Sequence, residues 1–129
     1  MATEELPHII FVESDLVLAE VYCTAFHQAG FDVTHLDNGT HVYAEVEKYV
    51  PDAIVLDLFL PHTDGYALVQ SIKQHPRLRH IPIILLTSFG QKDDVEKGLS
   101  LDVHEYFITS HTKPKDLIRR LQKILSLPE

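Results

Sequence analysis

The residues best suited to chemistry stand at the ends of apolar runs. Glu13, Ser14 and Asp15 follow "HIIFV" (8–12), Asp57 ends "AIVLD" (53–57), and Thr87 and Ser88 end "IPIILLTS" (81–88). Thr109 ends "HEYFIT" (104–109). Carboxylates grouped with a hydroxyl suit a hard, oxygen-liganded cation such as Mg2+. An aspartate beside such an ion is equipped to attack phosphorus and form an aspartyl phosphate. Phosphoryl transfer asks the protein mainly for charges and donors around three equatorial oxygens. The minimum kit is a nucleophilic Asp, further carboxylates for the metal, a hydroxyl donor and a fixed cation.

Those groups meet only if the chain brings the ends of the runs together. Between the runs lie stretches of helical periodicity. "LVLAEVYCTAFHQAG" places Leu18, Val21, Tyr22, Ala25, Phe26 and Ala29 on one face, with Gly30 as the stop. "FDVTHL" (31–36) alternates like a half-exposed strand, and "GTHVYAEVEKYV" repeats Val42, Tyr43, Val46, Tyr49 and Val50 at helical spacing. "DGYALVQSIKQH" is a short helix built on Leu68, Val69 and Ile72, and "QKDDVEKGL" is the weakest helical pattern. The last helix is the clearest, with Leu117, Ile118, Leu121, Ile124 and Leu125 in register, Thr112 expected as N-cap and Pro114 in the first turn.

Strands of nearly continuous Val, Ile and Leu need cover on both faces, which a parallel sheet between helices provides. Alternating β and α elements with right-handed crossovers give an open, doubly wound α/β sheet. Its working rim lies at the carboxyl ends of the strands. Every polar group named above falls on that rim.

Composition sets the outer limits. The 129 residues fit one domain over 1–129, with a core over about 8–125. The formal charge of -8 offers no grip on a phosphate backbone, so no direct nucleic-acid role is expected. Cys23 is the single cysteine and falls in a helical apolar pattern, where a small buried hydrophobe is the expected role. With no signal segment and no membrane-length apolar run, a cytoplasmic location is expected. No glycine-rich loop follows the first strand, which argues against flavin or dinucleotide phosphate binding. The nine histidines show no HExxH or paired Cys/His spacing.

From residue 8 to about 125 the chain resembles the receiver domain of bacterial response regulators. "PDAIVLDLFLPHTDGYALVQSIK" is similar to the segment carrying that family's phosphorylated aspartate, which makes Asp57 the implied phosphoacceptor. Pro61, Asp64 and Gly65 match the residues that follow it. "IPIILLTS" is similar to the strand whose terminal Ser/Thr binds the phosphoryl group, here Thr87. Tyr106 matches the aromatic that turns inward on activation. The resemblance implies a flavodoxin-like sheet of five parallel strands, order 2-1-3-4-5, with five flanking helices. It implies a metal site of Glu13, Asp57 and the Phe59 backbone carbonyl, with Asp15 as a further candidate. The implied role is a non-enzymatic module in a two-component phosphorelay. Its partners would be a histidine kinase or phosphotransfer protein, and a downstream protein at the last helix and fifth strand.

Two positions depart from the family pattern. The second acid after the first strand is Ser14, and the lysine expected at the end of the fifth strand is Thr109; Lys113 stands four residues later. Donors and cations of this kind are each worth roughly 2.7–4 kcal/mol, or about 100- to 1,000-fold in rate. The departures imply weak Mg2+ binding and slow phosphorylation. They leave open a phospho-switch, with Thr87, Tyr106 and Thr109 around the phosphoryl group, or a phosphorylation-independent pseudo-receiver adaptor. A flavodoxin-like cofactor domain is the third reading.

Overall fold

A computed structural model describes residues 5–88 and 92–127 of the chain. Five strands form one parallel sheet: β1 (His8–Val12), β2 (Asp32–Leu36), β3 (Ala53–Leu56), β6 (Ile83–Thr87) and β7 (Glu105–Ile108). Five helices alternate with them: α1 (Leu16–Gln28), α2 (Val42–Tyr49), α3 (Gly65–Gln74), α4 (Lys92–Leu99) and α5 (Pro114–Ile124). A short antiparallel hairpin, β4 (Phe59–Leu60) and β5 (Thr63–Asp64), interrupts the count after β3. The sheet order β2-β1-β3-β6-β7 is therefore the expected 2-1-3-4-5 once the hairpin is set aside.

Alternate residues of each strand enter opposite cores, the period of two that a pleated strand imposes. Ile10, Val12, Ile54, Leu56, Ile83 and Leu85 meet Val42 and Val46 of α2 and Leu68, Val69 and Ile72 of α3. Ile9, Phe11, Ala53, Val55, Ile84 and Leu86 meet Ala19, Tyr22 and Phe26 of α1 and Leu117, Ile118 and Leu121 of α5. Burial on both faces is why these strands read as unbroken apolar runs.

Several local expectations need correction. In α1 the buried stripe is Ala19, Tyr22 and Phe26, while Val21 is half exposed. Tyr49 and Val50 also face outward, because α2 stops at Tyr49 with Val50 in the left-handed region (φ 44°). The fifth sheet strand, β7, ends at Ile108, and Thr109 opens a 3-10 turn, Thr109–His111. Thr112 does not cap α5: its hydroxyl donates to the Ile108 carbonyl at 2.7 Å. Lys113 is the capping residue, and its N–H donates to Asp116 Oδ2 at 3.4 Å. Pro114 occupies the first turn as expected.

Candidate functional site

Parallel register delivers the acids to one another. Val12 pairs with Leu56, and the Asp57 N–H donates to the Val12 carbonyl at 3.0 Å. Glu13 and Asp57 thus follow directly from adjacent strand ends, and both are buried. Asp57 Oδ1 accepts from the Phe59 N–H at 2.9 Å. Its carboxylate also takes hydrogen bonds from Thr87 and Glu13. Glu13 Oε2 in turn accepts from the Asp15 N–H at 3.0 Å.

Two carboxyl groups that share a hydrogen bond in a buried site hold a proton between them. Burial pushes Glu13 up to about 7, the Asp15 N–H works against that rise, and the charge of Asp57 adds to it. Burial also raises Asp57, but Phe59, Thr87 and Glu13 donate to its charged form and oppose the shift. Burial thus disfavours ionising both acids at once, and the donors gathered on Asp57 offset its rise.

The remaining expected residues divide into those near this pair and those used elsewhere. Thr87 is fully buried at the end of β6 and donates to Asp57. Ser14 is half-buried and brings no charge. The Asp15 carboxylate caps α1, accepting from Val17 and Leu18 at 3.0 and 3.1 Å, so it serves the helix. Phe59 turns its ring to solvent while its N–H is spent on Asp57. Thr109 is half-buried in the 3-10 turn, and Lys113 is exposed at the start of α5. None of the ion pairs among the described residues involves Glu13 or Asp57.

Tyr106 is half-buried on β7. Its ring lies against α4, where a Cβ at Gly98 would collide with it. Its phenol is pushed up to about 12, first by burial, then by Tyr66, Asp94 and Asp57.

The loop that holds Asp57 in place is more ordered than its sequence promised. The stretch read only as a turn is the β4–β5 hairpin, with His62 exposed near its tip at φ 57°. Asp64 caps α3, accepting from the Tyr66 and Ala67 N–H groups at 3.0 and 3.2 Å. Gly65 is required by close approach: a Cβ there would stand 2.6 Å from the Leu58 carbonyl oxygen. The Asp-Gly pair carried that signal, since the two residues are a good cap and a residue without a side chain.

No group of three or more His, Cys, Asp or Glu side chains converges among the described residues. The Glu13–Asp57 pair supplies hard oxygen donors, which fits a divalent cation completed by backbone carbonyl and water. Among the described residues no helix is long and apolar enough to cross a membrane.

Comparison with known proteins bears on the family and the fold. The family model for the response regulator receiver domain matches residues 9–122. The phosphate regulon transcriptional regulatory protein PhoB of Pseudomonas aeruginosa is 32% identical over 91% of this chain and 51% of its own length. The chain spans about half the length of the curated relatives it matches. The receiver domain of a sensor histidine kinase from P. aeruginosa PAO1, solved with magnesium in its active site cleft, superposes with a TM-score of 0.86. It is 29% identical, over 95% of this chain and 99% of that one. The receiver domain of a histidine kinase from Syntrophus aciditrophicus is 30% identical with a TM-score of 0.84, over 93% and 90% of the two chains. The chain belongs to the response regulator receiver domains and is a receiver domain of two-component signalling.

Proposed function

We propose that this receiver works chiefly as a partner-binding module, with Asp57 a poor phosphoacceptor. The observation that carries the reading is the buried Glu13–Asp57 pair, with the Phe59 N–H and the Thr87 hydroxyl as neutral donors to Asp57. An incoming phosphoryl group brings negative charge to a rim that already holds two acids. Thr87 offers it a hydroxyl. Ser14 and Thr109 stand where the family's charged groups are expected, and exposed Lys113 caps α5. The Phe59 N–H would hold Asp57 in position.

Glu13, Asp57 and the Phe59 carbonyl are the ligands for Mg2+ in this reading, and the ion would supply charge compensation when bound. Asp15 is the weaker candidate, since its carboxylate caps α1. The chain turns over no substrate of its own here. Partners are a histidine kinase or phosphotransfer protein at the acceptor rim, where exposed Leu16, Val17 and Phe59 offer apolar contact. A downstream protein meets α5 and β7, whose exposed Arg119 and Lys123 give that side positive charge. The module acts without contacting nucleic acid, and it works in the cytoplasm.

A Mg2+ titration followed by the amides of residues 13–15 and 57–59 tests the site. Two acids give an expected midpoint of roughly millimolar or weaker. Saturation far below that concentration would show a charged ligand that this account lacks.

A further inference from the structure

Helix α4 has little apolar surface to hold it down. Among its described residues only Gly98 is buried, and Leu99 is 52% exposed. A helix with so few buried contacts belongs to the easily opened part of a fold unless something else fixes it. Two consecutive residues of α4 each touch a tyrosine from a different element. Lys97 holds its Nζ 4.1 Å from the centroid of the Tyr66 ring, in the first turn of α3. Gly98 lies against the ring of Tyr106 on β7, so closely that a Cβ would not fit.

Tyr66 is itself firmly placed. The Asp64 carboxylate accepts from its N–H at 3.0 Å, and the preceding Gly65 is pressed against the Leu58 backbone. The two tyrosines also share surroundings. Burial and then Asp94 of α4 push the Tyr66 phenol up, and the Tyr106 phenol responds to burial, Tyr66 and Asp94. The ammonium over the Tyr66 face is a cation–π contact, which gains strength as the pair is desolvated.

We propose that Lys97 and Tyr66 form a latch that fixes α4 to the N-terminus of α3, making Tyr66 the positioning residue for Tyr106. The latch deepens the reading of this module by naming what holds α4 and β7 in one arrangement. It does not require Asp57 to accept a phosphoryl group, so its test stands apart from any phosphorylation assay. Opening the latch removes the Lys97–Tyr66 contact between α3 and α4 and leaves the packing of Gly98 against Tyr106 in place.

Relaxation-dispersion NMR on the full chain reads the latch as exchange at residues 92–99 and at Tyr106. Lys97→Met keeps the apolar stem but loses the charge, and raises the open population roughly two- to fivefold. Tyr66→Leu has the same effect, and the double variant adds little beyond either single change. Tyr66→Phe retains the ring face and behaves like the wild type. Lys92→Met breaks the 3.9 Å Lys92–Glu96 pair on the same helix without touching Tyr66, and also leaves the exchange unchanged. Wild-type exchange in Lys97→Met would overturn the proposal. So would an equal rise in Lys92→Met, which would mark general weakening of the helix, or Tyr66→Phe behaving as Tyr66→Leu.

Discussion

Glu13 sets the electrostatics of the rim. A carboxyl group whose pKa climbs from 4.5 to about 7 on folding weakens the fold wherever it must ionise. Below about pH 4.5 the cost is absent, because Glu13 is protonated folded or unfolded. It grows as pH rises through the window up to about 7 and is complete above it. Glu13→Gln removes this term. Urea unfolding at pH 5 and pH 8 should show the wild type losing roughly 1–3 kcal/mol more than the variant across that interval. Equal losses would mean that Glu13 ionises freely in the folded protein. The residue types at the rim were legible in the sequence because strand ends collect there in any sheet of this kind. How the donors divide between the two acids was not legible. The fold decides it, and Phe59 and Thr87 both serve Asp57.

The elements explain where sequence periodicity succeeded and where it stopped. The buried strands announced themselves because both of their faces are covered, and α5 did so through an unbroken apolar stripe. The exposed side of α1 was misread because Val21 is apolar yet lies off the stripe that meets the sheet. The capping of α5 was displaced by one residue because the Thr112 hydroxyl has a carbonyl partner at Ile108. Two substitutions test the local geometry. Gly65→Ala drives a methyl group into the Leu58 backbone and should cost about 1–3 kcal/mol, with shifted amides from Asp57 to Asp64. Val50 is a β-branched residue in the left-handed region with its side chain partly exposed. Val50→Gly relieves that strain and should raise stability by about 1 kcal/mol in denaturant unfolding.

At the scale of the whole molecule, topology places two acids and a threonine at one rim, while Arg119 and Lys123 are exposed further along α5. A ligand shifts an equilibrium only by its differential affinity for the two states, and a rim short of positive charge offers a phosphoryl group little of it. Partner binding through α5 and β7 should therefore change by less than about twofold in Asp57→Asn. Arg119→Glu or Lys123→Glu should weaken an acidic partner roughly tenfold by calorimetry, since both side chains project from the exposed side of α5. The most direct test of the central claim is intact-mass spectrometry after incubation with a small acyl phosphate and Mg2+. The wild type should gain the mass of a phosphoryl group very slowly or not at all. Ser14→Asp combined with Thr109→Lys should gain it at least about 100-fold faster, with Asp57→Asn in that background abolishing the gain. Rapid, stoichiometric phosphorylation of wild-type Asp57 would contradict the account, because the missing acid and lysine would then have working substitutes.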